Sequence, residues 1–292
     1  MNRYLRSVGF TQWTSDEVVD KQLEDIQRFR FQYSRPRVIE KSDGSTIYEM
    51  RVPIANSLEL ILMGYIADDG YHIKYHAPSL KTDIVSTTVA CQIEEKYISD
   101  IYAGLSEDVR LGTALIFHVE NSLEYQERRL SQKSLTSKGV RLFGLSVAAK
   151  VIMPIEKNIS QRVRAVSDNK RYEALMDAAM KGDDYAISTL ADHETQVEAA
   201  VQTRIKREDV YSIVDSSFIP EGMECDIYYA MGTIVECRQE RNIYTHEYVY
   251  IILVECNGMH FPVVINVSDL QGQPEVGRRI KGMFWMQGHV EF

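Results

Sequence analysis

Short apolar runs that alternate with turn dipeptides occupy both ends of this chain, and they constrain its fold more than any other feature. Asp43-Gly44, Asp69-Gly70 and Asn257-Gly258 each separate two such runs, and these residue types tolerate the positive φ of tight hairpin turns. The first part of the chain is therefore predicted to form two successive hairpins, with strands at about 37–41, 46–52, 58–66 and 71–76. Further along, the pattern predicts a strand over 85–93, a short helix over 94–103, a central strand over 111–119 and one or two strands over 140–155.

Helices are predicted near the start and in the middle of the chain. Thr14 followed by Glu17 has the spacing of a capping box, and the apolar period after it predicts a helix to about Phe31. From about 159 to 215 the periodicity becomes helical again, with Gly182 as a break and Asp183 as the next cap. One stretch resembles a single unit of a tetratricopeptide or Sel1 repeat. Because a solenoid needs about three units or more, a plain helical hairpin is predicted instead.

The last 70 or so residues read as strands throughout. The predicted strands lie at 227–236, 248–255, 259–266 and 279–286, after a boundary at 217–222. Short strands in such a small segment protect their edges by curling into a barrel, and among several small barrels one like the oligonucleotide/oligosaccharide-binding fold is the first expectation. We therefore expect a two-domain α+β protein: a mixed domain over 1–220 that ends in the helical segment, and a small all-β barrel over 221–292.

Charge is distributed unevenly along the 292 residues. The whole chain has 33 Lys and Arg against 42 Asp and Glu, a net charge of −9, yet residues 121–171 carry +7. Such asymmetry can steer an anionic partner to one face. The candidate anion- or partner-binding residues are Arg128, Arg129, Lys133, Lys138 and Arg141. The alternative is that these cations pair internally with carboxylates or lie on unrelated faces.

No catalytic or metal-binding signature is apparent. The 16 glycines form neither a Walker pattern nor Gly-x-Gly-x-x-Gly, and Gly144-Leu145-Ser146-Val147-Ala148 departs from a nucleophile elbow at its last residue. His118 lies in an apolar run, where a hydrogen-bonded core histidine is expected rather than a general base. Cys225, Cys237 and Cys256 have zinc-ligand chemistry but lack the short knuckle spacing. We predict no catalytic residue, no metal site and no cofactor.

The cellular location is predicted from two absences. No apolar run approaches the roughly 18 residues of a membrane span, and the first residues lack the apolar core of a signal peptide. Three of the four cysteines lie in apolar strand-like runs, as small buried hydrophobes of a reducing compartment do. We expect a cytoplasmic protein with no membrane partner.

Three phrases of the sequence resemble a known family. Residues 3–10 (RYLRSVGF), 208–215 (EDVYSIVD) and 224–226 (ECD) are similar to an uncharacterised family of clostridial (Firmicutes) bacteria, with similarity along most of the chain. The resemblance implies a bacterial cytoplasmic protein. It carries over no catalytic or binding residue, because that family has no established activity.

These features together predict a non-enzymatic cytoplasmic interaction or binding protein, whose partner is another protein or an anionic ligand. One alternative is an enzyme with its active site between the two domains. Another is nucleic-acid or other polyanion binding through residues 121–171. Nucleic acid is the less expected partner because residues 223–292, although rich in tyrosine, carry a net charge of −4. No pattern indicates an oligomeric state.

Overall fold

The computed structural model describes residues 2–31, 33, 35–68, 70–155, 171, 174–175, 178–179, 182–192 and 214–292. Backbone contacts divide the chain into two units, one of Met1–Ile152 with Ser217–Phe292 and one of Met153–Ser216. In the second unit, residues 184–192 are helical, and the Asp183 carboxylate accepts the amides of Tyr185 and Ala186 as the predicted cap. Most of the predicted helical segment over 159–215 lies outside the described residues.

A four-stranded antiparallel sheet follows the predicted hairpins. Its order is β1 (Arg37–Glu40), β2 (Thr46–Pro53), β3 (Leu58–Ala67) and β4 (Gly70–Leu80). Before it come a 3₁₀ helix, Asn2–Val8, and helix α1, Asp16–Phe31. The apolar face of α1 is buried as its period predicts, but the cap is Ser15, whose hydroxyl accepts the Val18 amide, and not Thr14.

The remaining strands form one eleven-stranded sheet. They are β5 (Cys91–Glu95), β6 (Tyr102–Ser106), β7 (Leu115–Val119), β8 (Gly139–Ser146), β9 (Ala149–Ile152), β10 (Ser217–Pro220), β11 (Ile227–Arg241), β12 (Tyr248–Cys256), β13 (Met259–Asn266), β14 (Leu270–Gln271) and β15 (Arg279–Glu291). The main pairing order is β10-β11-β12-β13-β8-β15-β7-β6-β5, and β11 also pairs with β15. Helix α2, Ser122–Leu130, which the sequence pattern did not predict, follows β7.

The predicted helix over 94–103 is wrong. These residues form the end of β5, a turn and the start of β6, which pair antiparallel with Glu95 opposite Tyr102. The turn closes through the Lys96 amide, which donates to the Ile101 carbonyl, and Asp100 adopts a φ of 73°. The predicted strand over 85–93 is also shorter than expected: its start forms only an isolated bridge at Thr87, and the strand itself begins at Cys91.

The expected boundary at residue 220 differs from the division seen in the structure. Residues 217–220, part of the predicted boundary at 217–222, form β10, which pairs with β11. A separate barrel over 221–292 is not confirmed, because β8 from the first half of the chain lies between β13 and β15. The backbone groups at the edges of the late strands are hydrogen-bonded to early strands. The local sequence pattern does not reveal such long-range pairing. The coarser expectation of mixed helices and strands agrees with the structure.

A hydrophobic core fills the space between the smaller sheet and one face of the larger one. It unites residues of α1 and of β2–β4 with Phe143, Leu145, Ile251 and Trp285 of the larger sheet. Alternate residues of the same strands, such as Leu142 and Ile252, belong to a second core on the opposite face. Both faces of the central strands are therefore buried.

A buried carboxylate connects the two sheets. Glu120, only 4% exposed, accepts hydrogen bonds from Ser79 Oγ of β4 (2.8 Å), from His289 Nδ1 of β15 (2.9 Å) and from the Arg51 guanidinium of β2. Burial alone would raise the pKa of Glu120, but the hydrogen bond from His289 and the charge of Arg51 lower it to about 2. The network thus holds a negative charge between the sheets.

We expect Glu120→Gln to destabilise the protein by about 3 kcal/mol at pH 7, the value of a pKa shift from 4.5 to about 2. Because the folded pKa is the lower one, this contribution is complete above pH 4.5 and disappears as the pH falls towards 2. Urea unfolding at pH 7 and pH 3 measures it, with the exposed Glu275→Gln as control. An equal loss at both pH values would contradict the ionised state of Glu120.

Gln287 lies in the same interface, and its amide has no hydrogen-bonding partner among the described residues. Its side chain is 0% exposed, and neither its Oε1 nor its Nε2 atom bonds to any part of the chain that the structure describes. A buried amide without partners costs about 1–3 kcal/mol. Gln126 is a matched contrast, since it is 4% exposed and its Nε2 donates to Asp100 Oδ1 at 2.9 Å.

The two glutamines are expected to respond oppositely to replacement by methionine, which has a similar length and no strong hydrogen-bonding group. Gln287→Met should raise the free energy of unfolding by about 1 kcal/mol, and Gln126→Met should lower it by about the same amount. Urea denaturation of both variants tests this pair. A Gln287→Met variant as destabilised as Gln126→Met would show that the Gln287 amide has partners.

Candidate functional site

A cleft of about 1470 Å³ opens within the larger of the two units. It lies between the β5–β6 hairpin, the connection from β10 to β11 and the 3₁₀ helix at the start of the chain, with β4, β7 and β15 beneath. Aromatic and aliphatic side chains make up most of its wall, with a small number of charged groups. This composition is typical of sites that bind small organic molecules.

The floor of the cleft is a set of buried rings. Tyr75 of β4 and His118 of β7 are joined by a hydrogen bond between the phenol oxygen and Nε2, 2.9 Å apart. The Trp285 ring lies 5.5 Å from that of His118, and the Tyr4 ring lies 5.0 Å from that of Trp285. All four side chains are almost completely buried. The hydrogen-bonded core histidine expected from the sequence is confirmed, and it also lines the cleft.

The titratable groups of the floor are held in their neutral forms. Burial lowers the pKa of His118 well below its usual range, and the nearby charge of Lys96 lowers it further. Burial raises the pKa of Tyr75 well above its usual range, and it raises the pKa of Tyr228, another buried residue that lines the cleft, to about 12. At neutral pH the floor therefore offers uncharged hydrogen-bonding groups rather than an imidazolium or a phenolate.

One ion pair crosses the wall of the cleft. Lys96, just after β5, places its Nζ 2.5 Å from Oδ2 of Asp226, just before β11. Their side chains are 30% and 17% exposed. Asp226 also influences the floor, since its negative charge raises the pKa of Tyr75 and of Tyr228. The pair links the two loops that flank the cleft.

Two large apolar side chains stand at the rim. Tyr97 follows Lys96 in the β5–β6 turn, and Met223 lies in the connection between β10 and β11; both are fully exposed, at 104% and 97%. Cys225, a half-buried free thiol, lines the cleft beside them. Exposed apolar groups next to a cleft extend the surface that a ligand can cover.

The predicted basic site is only partly assembled. Arg128 lies over the Phe292 ring, 5.0 Å from its centroid, and pairs with Glu124 at 3.1 Å. Lys138 donates from Nζ to the Phe292 carbonyl at 3.0 Å. These two cations are therefore brought together at Phe292, and both already have partners.

The other three predicted residues, Arg141, Arg129 and Lys133, differ in whether they form ion pairs. Arg141 pairs with Glu291 at 3.0 Å and donates to the Thr82 carbonyl at 3.0 Å. Arg129 and Lys133 are exposed and form no ion pair with any residue that the structure describes. Internal pairing, the alternative left open by the sequence, thus accounts for part of the basic segment.

Metal binding finds no support in the described ranges. No group of three or more His, Cys, Asp or Glu side chains in them is arranged to hold an ion. Cys256 is buried and its thiol donates to the Ser217 carbonyl at 3.4 Å. Within the same ranges, no helix is long and apolar enough to span a bilayer.

His118 is the one floor residue that the sequence pattern singles out, and Cys225, considered there for its zinc-ligand chemistry, is a second residue of the cleft. Tyr75, Trp285, Lys96 and Asp226 come from four distant parts of the chain, and only strand pairing brings them together. A signal was nevertheless present. Two of the three phrases that resemble a known family, residues 3–10 and 224–226, contribute side chains to the cleft.

The neutral state of His118 is directly measurable. We expect its imidazole resonances to stay constant from pH 8 to pH 5, because burial disfavours the charged ring. Two-dimensional NMR of the ring, assigned with His118→Gln, gives the titration, and the urea-unfolded chain should titrate near pH 6.5 as a control. An inflection between pH 6 and 7 in the folded protein would contradict the neutral floor.

Comparison with known proteins identifies a family but no activity. The family model described as "Domain of unknown function, E. rectale Gene description (DUF3881)" matches residues 5–288. No curated protein and no solved structure matches the chain. The match covers almost the whole sequence and confirms the resemblance to an uncharacterised family: the chain belongs to the DUF3881 family of domains of unknown function.

Proposed function

We propose that this protein is a non-enzymatic cytoplasmic binding protein that holds a small organic molecule in the cleft above Tyr75, His118 and Trp285. The observation that carries the proposal is the floor itself, where a buried Tyr75–His118 hydrogen bond lies among aromatic rings at the base of a cleft of about 1470 Å³. A cytoplasmic location is in keeping with four cysteines that are all free thiols.

The protonation states of the floor favour binding over acid–base catalysis. A general base or acid works best with a pKa near the operating pH. The pKa of His118 is well below its usual range and that of Tyr75 well above. Both groups can orient a ligand by hydrogen bonds, but neither is poised to exchange a proton at pH 7.

Anion or partner binding at Arg128, Arg129, Lys133, Lys138 and Arg141 is a separate proposal with less support. Arg129 and Lys133 are the two members that no described residue pairs with. Exposed charges of this kind contribute little binding free energy one at a time. We therefore favour the cleft over these five basic residues as the binding site.

A fragment screen with a blocked cleft tests the proposal. We expect a library of small organic compounds, screened by saturation-transfer NMR, to contain several that bind the wild-type protein. Ala103→Trp should weaken this binding, because Ala103 is a half-buried residue of the cleft wall and an indole there takes up space that a ligand would occupy.

Two further variants complete the screen. Thr113→Trp narrows the same cleft from another element, in case the first substitution disturbs folding. Ala67→Trp adds the same indole at an exposed position outside the cleft and should leave binding unchanged. Compounds that bind both cleft variants as well as the wild type would overturn the proposal.

A further inference from the structure

We propose that the ligand of the cleft ends in an α-amino-acid head group, an ammonium and a carboxylate on one carbon, and that the Lys96–Asp226 ion pair recognises it. The inference rests on the proposed function and adds the chemical class of the ligand. Three observations support it: the position of the ion pair, its spare hydrogen-bonding capacity and the apolar surface beside it.

The ion pair is the charged feature set most deeply in the described cleft. Lys96 and Asp226 are both half-buried there, whereas Glu94 and Glu224 are exposed at the rim. Arg3 is also at the rim, where it donates to the Tyr4 hydroxyl at 2.8 Å and covers the Tyr4 ring. Of the charged groups that line the described cleft, this pair is therefore the one least exposed to solvent.

Both partners retain capacity for another hydrogen bond. An ammonium group has three donors, and the described contacts of Lys96 use one of them, to Oδ2 of Asp226. Oδ1 of Asp226 makes no hydrogen bond to a described residue and is not sealed from solvent. The pair can thus donate to an anion and accept from a cation at neighbouring positions.

A ligand with a single charge suits this arrangement less well. A carboxylate is attracted by Lys96 but repelled by Asp226. An ammonium is attracted by Asp226 but repelled by Lys96. A group that carries both charges on one carbon can place each of them beside the partner of opposite sign, so that attraction exceeds repulsion at both ends. Charge-assisted hydrogen bonds to both ends also fix its orientation.

The apolar part of the ligand has a surface to rest on. Ile98, Ile101 and Ile227 line the cleft near the ion pair, and the edges of Tyr4 and Trp285 lie below. Apolar walls of this kind favour a ligand that is itself apolar beyond its head group. We therefore infer an α-amino acid whose side chain, the body of the ligand, is apolar or aromatic.

Binding of matched analogues distinguishes the contribution of the head group from that of the ligand's apolar body. L-tryptophan, L-phenylalanine and L-leucine would be compared by calorimetry and ligand-detected NMR with their decarboxylated amines and their deaminated acids. We expect each amino acid to bind wild-type protein at least tenfold more tightly than either analogue. The preference should have the same sign for all three bodies.

Variants assign the preference to the ion pair. Lys96→Met should abolish the advantage of the amino acid over the amine, and Asp226→Asn should abolish its advantage over the acid. Lys21→Met, at an exposed lysine of α1 outside the cleft, serves as control and should change neither ratio. Thermal unfolding of each variant verifies that it is folded.

Two results would overturn the inference. One is equal affinity of the amino acids and their analogues, and the other is the absence of binding by all of them. If fragments whose binding Ala103→Trp weakens still bind the wild-type protein, the proposed function stands and only the amino-acid head group is rejected. If no fragment binds either, the proposed function fails as well.

Discussion

The pairing of β15 is the constraint on which the rest of the structure depends. This strand pairs antiparallel with β8, β9 and β11 and parallel with β7, so it joins the last residues of the chain to strands formed before residue 152. Its alternate side chains Trp285, Gln287 and His289 face one side of the sheet. Trp285 lies on the floor of the cleft, and His289 binds Glu120. The cleft and the buried ion network are thus supported by the same strand.

His118 in β7 and Glu120 just after it show how the surroundings of a buried group decide its protonation state. Glu120 and His118 are both buried, two positions apart, on the same side of the sheet. Glu120 receives hydrogen bonds from Ser79, His289 and Arg51 and stays ionised. Burial and the nearby charge of Lys96 instead keep the ring of His118 neutral. The negative charge is therefore on Glu120 and not on a residue of the cleft floor. In the proposed function the floor contacts a ligand through its shape and through uncharged hydrogen-bonding groups.

Local signals explain which parts of the fold the sequence predicted. The first two hairpins were placed correctly because turn dipeptides and alternating residues encode them within a few positions. The helix over 94–103 was wrong because tertiary pairing of β5 with β6 overrode a short amphipathic pattern. The predicted boundary at 220 and the predicted separate barrel do not allow for β8, which comes from the first half of the chain and lies between two late strands. His118 was recognised as a core histidine, but Lys96 and Asp226 could not be, since only long-range contacts place them together.

The central claim is that this cleft is the binding site of the protein. A crystal structure of the protein with the most tightly bound compound of the fragment screen tests it most directly. The account predicts density for the compound in the cleft, in contact with Trp285 and within hydrogen-bonding distance of Lys96 or Asp226. Density at another surface, such as beside Arg129 and Lys133, with an empty cleft, would contradict it.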